Sequence, residues 1–249
     1  TMKPLVVGLA LDKGLVKPET LINTQGGKLQ MGSVTISDAH PHGVLSVNEV
    51  IQKSSNVGTV KIAMQLQPHD MWEAFTQVGL GQKPQVPFPG AVAGKVRAYK
   101  TWKPIEQATM SYGYGLSTSL FQLTHAYTMF ARDGVMLPVT LIKHATNESV
   151  TGPRVIEARH ANAVRSMLFT VTQPGGTAQK AQTVGYTTGG KTGTANKNVA
   201  GHYVEDRVFT TFMAVAPADK PRYLFLTIMD EPQPVDGTFG FRKIGRAHV

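Results

Sequence analysis

The chain contains 249 residues, 41% of them hydrophobic, and this length is sufficient to bury the core of one large domain. It has no cysteine, which excludes disulfides, thiolate catalysis and cysteine-ligated metal sites. The net charge of +9 favours anionic partners, but lysines and arginines are scattered singly and no basic stretch is interleaved with aromatic residues. We therefore predict no nucleic-acid partner, and the sequence indicates no cofactor.

The first predicted element is a buried helix over residues 1–13. This segment is apolar on nearly all sides, which is typical of a helix inside a domain. Pro4 would lie in its first turn, where a missing N–H is tolerated, and Gly14 would follow its last turn.

A hairpin and a group of helices are predicted next. Short β-favouring runs over residues 20–38 predict the hairpin, with its turn at the Gly-Gly pair 26–27. Ser46 and Glu49 have the spacing of a capping box, in which each side chain caps the other residue's backbone N–H. They predict the start of a helical region that continues to about Gly81.

The remaining elements change from helical to extended. The Pro-rich residues 84–104 predict a long surface loop, and apolar spacing predicts helices over 118–133 and 158–172. Three strands are then predicted over residues 186–195, 208–216 and 223–229. Helices followed by strands, without β-α alternation, indicate an α+β domain.

Two short motifs carry polar groups suited to catalysis. Lys191-Thr-Gly193 lies in a predicted strand after two glycines, where a substrate could lie against exposed backbone. Ser54-Ser-Asn56 lies between two helical segments, where a hydroxyl and an amide can face one cleft. Each motif is weak alone, because Lys-Thr-Gly is frequent by chance and a serine between helices is commonly a helix cap.

A third motif is partial. Thr1-Met2-Lys3 opens the predicted buried helix, and a serine immediately before Thr1 would complete Ser-Thr-Met-Lys. Residues three apart lie on the same helix face, so that serine would lie beside the Lys3 amine, which could activate its hydroxyl. We predict that Lys3, Ser54 and Lys191 converge in one pocket.

Together the three motifs resemble the Ser-x-x-Lys, Ser-x-Asn and Lys-Thr-Gly set of the penicillin-recognising serine transpeptidases. The resemblance covers residues 1–242 and is strongest to class B penicillin-binding proteins, on residues 47–58, 112–116, 189–195 and 230–232. Residues 112–116, Tyr-Gly-Tyr-Gly-Leu, resemble the division-specific FtsI type.

The resemblance implies a serine β-lactamase/D,D-peptidase-like fold, in which helices flank an antiparallel sheet beside an all-helical subdomain. We expect residues 1–243 to form this transpeptidase domain, incomplete at both ends, and residues 244–249 to be a non-native tail. The helical half would be roughly 40–172, and the sheet half 1–39 and 173–243. Only about three strands of the sheet would be present, so the isolated chain is expected to be marginally stable or insoluble.

The resemblance also assigns catalytic roles. Lys3, uncharged because it is buried near the cationic Lys191, would take the proton from the missing serine. Ser54 would relay a proton to the leaving D-alanine. Asn56 would hydrogen-bond the acyl amide and orient Lys3.

The strand motif would hold the substrate. The Thr192 and Thr194 hydroxyls, with Lys191 behind them, would bind the terminal carboxylate of D-Ala-D-Ala or of a β-lactam. The Thr194 N–H would supply half of an oxyanion hole. Gly193 would allow the substrate to approach the strand closely.

The implied function is a peptidoglycan D,D-transpeptidase that cross-links stem peptides during septal wall synthesis through a serine acyl-enzyme and is inhibited by β-lactams. Its location would be the periplasmic face of the bacterial inner membrane, among divisome membrane proteins, with any anchor outside these residues. No residue occupies the nucleophile position, and Thr1 falls on a variable position of the motif. We therefore predict that the chain as written forms no covalent penicillin adduct.

Two other functions remain open. A serine β-lactamase uses the same motifs but should carry a deacylating glutamate in a Glu-x-x-Leu-Asn loop. The candidate glutamates all lack that context: Glu73, Glu106, Glu148 and Glu157. The second alternative is a non-catalytic divisome scaffold, which requires that the natural protein lack the serine.

Other polar and aromatic groups are assigned no catalytic role. Asp38, His40 and His42 lie in a Pro-Gly loop and are not predicted to bind metal. Tyr112 and Tyr114 could either pack in the fold or line the cleft.

Overall fold

The computed structural model describes residues 1–143 and 150–232. Its first helix, α1 (Lys3–Asp12), confirms the prediction for residues 1–13, with Pro4 in the first turn. All of α1 except Asp12 is buried. The helices that surround α1 therefore form their core around it.

The segment after α1 forms two small antiparallel pairs. Strand β1 (Leu21–Asn23) pairs with β4 (Val44–Ser46), and between them β2 (Lys28–Met31) pairs with β3 (Val34–Ser37). The predicted turn at residues 26–27 is wrong, because those glycines lie in a 3-10 turn before β2. The hairpin instead turns at residues 32–33, where Gly32 has φ +59°, as tight two-residue hairpin loops require.

Short helices follow, and the structure confirms the Ser46–Glu49 capping box at the first of them. They are α2 (Val47–Lys53), α3 (Asn56–Ala63), α4 (Pro68–Gln77), α5 (Pro104–Tyr112) and α6 (Leu120–Ala131). The loop predicted over residues 84–104 is mostly irregular; before α5 it contains an isolated bridge from Lys95 to Ser117 and a 3-10 turn at Tyr99–Thr101. Helix α5 was not predicted, although Pro104 at its first position and Glu106 at its third are helix-start signals.

The last helix and the sheet agree with the sequence pattern. Helix α7 (Ala158–Thr172) matches its prediction, and it packs on the sheet and on α1, α2 and α6. Strands β5 (Gly189–Val199), β6 (His202–Ala216) and β7 (Tyr223–Asp230) form an antiparallel sheet in the order β5-β6-β7. The β5–β6 hairpin extends beyond the predicted ends, because its turn places Ala200 and Gly201 at positive φ.

This architecture confirms the α+β prediction. One large apolar cluster joins α1, α2, α4, α6 and α7 to the inner face of β6. Across residues 1–143 and 150–232, none of the helices combines the length and apolar character needed to cross a bilayer. The predicted tail at 244–249 lies outside the described residues.

Candidate active site

Ser54 is held in an unusual backbone conformation at the end of α2. It is the C-terminal cap of the helix, with φ 60° and ψ 39°, in the left-handed region that residues with a side chain rarely adopt. The Ser54 and Ser55 backbone N–H groups still donate to carbonyls of the last helical turn. Such a conformation costs about 1–3 kcal/mol and is typically retained where a functional group must be placed.

The Ser54 hydroxyl lies between two lysine amines. Lys3 Nζ is 3.0 Å from Ser54 Oγ and also donates to the Ser54 carbonyl oxygen. Lys191 Nζ lies 2.7 Å from the same Oγ and 2.9 Å from the Thr192 carbonyl oxygen. The three motifs therefore converge in one pocket, as their order and spacing predicted.

Burial lowers the pKa of both amines. Lys3 is 5% exposed and Lys191 is 0% exposed. Loss of hydration disfavours the ammonium form and lowers the pKa of Lys3 from 10.5 to about 7, while the Asp38 carboxylate partly opposes this shift. The pKa of Lys191 falls well below its ordinary value, first because of burial and second because Lys3 is close. These surroundings favour an uncharged Lys3, and they disfavour the cationic Lys191 that the sequence led us to expect.

Asp38 is a residue of the site that the sequence analysis did not assign. It directly follows β3, and its Oδ1 accepts the backbone N–H groups of Asn56 and Val57 at 2.5 and 2.9 Å. Its Oδ2 accepts the Ser55 hydroxyl at 2.6 Å. The carboxylate thus caps the N-terminus of α3, where a negative charge is favourable, and it is the negative group that acts on Lys3. Its partners are distant in sequence, so no local motif marks it.

Asn56 does not make the predicted contact with Lys3. Its side-chain amide donates to the Ser37 carbonyl oxygen at 2.8 Å, which fixes the amide against the end of β3. Within the described residues, the hydrogen bonds of Lys3 go to Ser54, and Asn56 makes none to Lys3. In this structure Ser54 orients Lys3, and Asn56 remains beside the pocket on the adjacent helix.

Strand β5 lies against the start of α1 with no space for an additional side chain at Gly193. A Cβ atom on Gly193 would be 2.6 Å from Thr211 Oγ1 and 3.0 Å from the Thr1 nitrogen. Thr194 is exposed and Thr192 is partly buried on the same strand. A side chain at position 193 would therefore force neighbouring atoms of the protein to shift, whether or not a substrate approaches there.

The start of the chain is part of this pocket. The Thr1 backbone nitrogen is buried, although Thr1 as a whole is partly exposed, and it lies close to Lys191 and Lys3. The buried Tyr127 hydroxyl donates to the Thr1 carbonyl oxygen at 2.5 Å. Backbone at position 1 is thus fixed from α6 on one side and lies close to both lysines on the other.

The two tyrosines at the end of α5 and just after it make a contact with the sheet. Tyr112, Tyr114 and Tyr203 stack edge to face, with ring centroids 5.8 and 4.9 Å apart. The Asn196 backbone N–H donates to the Tyr114 hydroxyl oxygen at 3.1 Å. Of the two roles left open, packing thus has direct support, because these rings join the end of α5 to the β5–β6 hairpin.

The arrangement of these groups allows proton transfer between them. With Lys3 neutral, its lone pair can accept the Ser54 hydroxyl proton while Lys191 donates to Ser54 Oγ. An antiparallel sheet, flanking helices and a buried amine–hydroxyl–amine cluster together define the serine β-lactamase and penicillin-binding protein class of fold.

The chain belongs to the family described as penicillin binding protein transpeptidase domain, whose sequence profile matches residues 1–243. It is similar to a probable peptidoglycan D,D-transpeptidase PenA of Neisseria flavescens, with 42% identity over 96% of this chain and 58% of that protein. The chain therefore spans less than two thirds of that relative.

Solved structures agree with the assignment. The TP domain of penicillin-binding protein 3 from Burkholderia pseudomallei has a TM-score of 0.90 and 48% identity, covering 93% of this chain and 70% of that one. Penicillin-binding protein 3 from Mycobacterium tuberculosis, solved with aztreonam, has a TM-score of 0.82 and 35% identity, covering 93% and 55%.

Proposed function

We propose that this domain acts as a peptidoglycan D,D-transpeptidase that forms a serine acyl-enzyme and is inhibited by β-lactams. The observation that carries the proposal is the Ser54 hydroxyl, which lies 3.0 Å from Lys3 Nζ and 2.7 Å from Lys191 Nζ in a buried pocket. A buried neutral amine can accept a proton from an alcohol, and a hydroxyl between two amines can pass a proton in either direction.

The nucleophile in this proposal is a serine directly before Thr1. The buried Thr1 nitrogen, with Lys3 and Lys191 close to it, supports that position. The serine oxygen would bond to the penultimate D-alanine carbonyl carbon while its proton moves to Lys3. When the carbon–nitrogen bond breaks, Ser54 would pass a proton to the departing D-alanine amine and take one back from Lys3. An acceptor amine on a second stem peptide would then attack the acyl carbon, and the proton that this amine loses would return through Ser54 and Lys3 to the released serine oxygen.

The carboxylate end of the donor peptide would lie along β5. In the proposal, Thr192 and Thr194 donate hydroxyl hydrogen bonds to it, Lys191 supports them from behind, and the Thr194 N–H supplies half of the oxyanion hole. The partial exposure of Thr192 and the exposure of Thr194 support this strand as a substrate edge. Asn56 would bind the acyl amide from the other side of the pocket.

The finer biological role is also proposed. The FtsI-like Tyr-Gly-Tyr-Gly-Leu segment at 112–116 favours septal synthesis, with divisome membrane proteins as partners and the periplasmic face of the inner membrane as location.

Fluorescent-penicillin labelling of the full-length protein tests the proposal. Lys3→Ala, Ser54→Ala and Lys191→Ala should each abolish labelling or slow it by at least about 100-fold, the usual contribution of a positioned acid or base. Lys13→Ala is the matched control, since Lys13 lies at the other end of α1 and pairs with Asp70 at the surface. Normal labelling of all three site variants would overturn the proposal.

The alternatives predict different results. Rapid hydrolysis of penicillin by the labelled protein would identify a β-lactamase instead. Three of the four candidate glutamates lie within the described residues, and none of these three contacts the lysine cluster. Glu106 pairs with Arg97, and Glu73 lies beside His69 at the surface. Glu157 directly precedes α7. Glu148 lies outside the described residues. A codon other than serine before Thr1 would favour the scaffold.

A further inference from the structure

The loop between α7 and β5 supplies a second hydroxyl to the substrate strand. Thr177 Oγ1 lies 2.8 Å from Thr192 Oγ1, in a hydrogen bond between two partly buried side chains. Thr177 lies outside the three motifs, and no step of the proposed reaction uses it. Its contact reaches the hydroxyl that is proposed to bind the substrate carboxylate.

The loop is shaped so that it can hold this hydroxyl in place. The Gly176 N–H donates to the Gln173 carbonyl, and the Ala178 N–H donates back to the Val171 carbonyl, both at 2.9 Å. A Cβ atom on Gly176 would lie 2.1 Å from the Val171 oxygen, so only glycine allows the chain to approach the end of α7 this closely. Thr177 is therefore fixed between two residues, one bound to the C-cap of α7 and the other to its last turn.

The same loop is attached to the helix that carries Ser54. Lys53 Nζ donates to the Gly175 carbonyl at 2.8 Å, and Gln52 Nε2 donates to the Thr170 carbonyl at 3.3 Å. These residues directly precede Ser54, which itself binds Lys191 on β5. The end of α2 thus reaches β5 by two routes, one through Ser54 and Lys191 and the other through the loop and Thr177.

We propose that Thr177 is a positioning residue that holds the Thr192 hydroxyl ready for the carboxylate of the substrate or of a β-lactam. A hydroxyl has one hydrogen and two acceptor lone pairs. If Thr177 donates to Thr192 Oγ1, the single Thr192 hydrogen stays available for the anion, and its rotation is restricted before binding. Hydrogen bonds arranged in such a chain strengthen one another.

This inference rests on the proposed function of Thr192, and the experiment separates the two. Acylation rates of the full-length protein are measured with a β-lactam that carries a free carboxylate and with its methyl ester. The ratio of the two rates reports carboxylate recognition, because a general loss of packing or stability slows both reactions alike.

Thr177→Val removes the hydroxyl with little change of shape. It is expected to lower the acid-to-ester ratio by about tenfold, because a freely rotating Thr192 hydroxyl would lose its hydrogen bond to the charged carboxylate, and a bond of that kind contributes about this factor. Thr177→Ser keeps the donor and should restore most of the ratio. Thr188→Val is the matched control, because the Thr188 hydroxyl donates to the Ala181 carbonyl in the same segment, and it should leave the ratio unchanged.

The outcomes are distinct. A wild-type protein that reacts equally with acid and ester would overturn the carboxylate function of Thr192 and the inference with it. A wild-type protein that discriminates, while Thr177→Val keeps the same ratio, would overturn the positioning role alone. An equal loss in Thr177→Val and Thr177→Ser would also overturn it, because a structural role does not require the hydroxyl.

Discussion

Lowering the pH from 8 to 6 is expected to slow acylation of the full-length protein by penicillin about tenfold. The pKa of Lys3 is lowered to about 7, and only the neutral amine can take the proton from the nucleophile. With that pKa, roughly nine-tenths of Lys3 is neutral at pH 8 and roughly one-tenth at pH 6. The rate should therefore rise with pH, with its midpoint near 7, instead of near the ordinary lysine value of 10.5.

Stopped-flow measurement with a fluorescent penicillin gives the profile, and Asp38→Asn is the variant that tests its cause. The Asp38 charge raises the pKa of Lys3, so removing that charge should lower the pKa and move the midpoint below 7. The asparagine keeps one oxygen to accept the N–H groups at the start of α3. The ratio of the acylation rate at pH 6 to the rate at pH 8 should therefore be larger in Asp38→Asn than in the wild type.

Two results would refute this reasoning. A profile that is flat between pH 6 and pH 8 would show that Lys3 does not change protonation there or is not the base. A midpoint that moves upward in Asp38→Asn would contradict the sign of the interaction. Circular dichroism at each pH provides the control for unfolding.

Three further predictions concern backbone and packing. Ser54→Gly and Ser54→Ala should both abolish labelling. In denaturant unfolding, the free energy of unfolding should be about 1 kcal/mol higher for the glycine variant than for the alanine variant, because φ 60° suits glycine. Gly193→Ala should lower the free energy of unfolding by about 1–3 kcal/mol in the same assay. Adding Thr211→Ala should recover part of that loss, because it removes the atom that would lie 2.6 Å from the new Cβ. Effects of the two substitutions that simply add would contradict this explanation. Tyr114→Phe removes the acceptor for the Asn196 N–H and should lower stability by about 1 kcal/mol, and an unchanged midpoint in urea would count against that hydrogen bond.

The sequence predicted the elements whose conformation is determined by residues close together in the chain. Helix α7 has apolar residues at helical spacing, and its observed bounds equal those predicted. The all-apolar pattern of α1 indicated burial for the same reason. The convergence of Lys3, Ser54 and Lys191 could be predicted because each lies in a short motif whose order was recognisable.

Features that depend on contacts distant in sequence could not be predicted. Asp38 belongs to the site through hydrogen bonds to α3, and its own surroundings resemble an ordinary loop. Asn56 turns to the Ser37 carbonyl, a partner that only the fold brings near. The pKa of Lys191 depends on complete burial, which a strand motif does not encode. Thr177 is marked only by two preceding glycines until its distance to Thr192 is known.

Helix α2 is only seven residues long, and both of its ends are fixed, one by the Ser46–Glu49 capping box and the other by Ser54. Because an α-helix rotates by about 100° per residue, inserting or deleting one residue within it would turn Ser54 away from both amines. Natural variation in length should consequently accumulate in the loop at 84–103, whereas this short helix should keep its residue count among relatives that remain active.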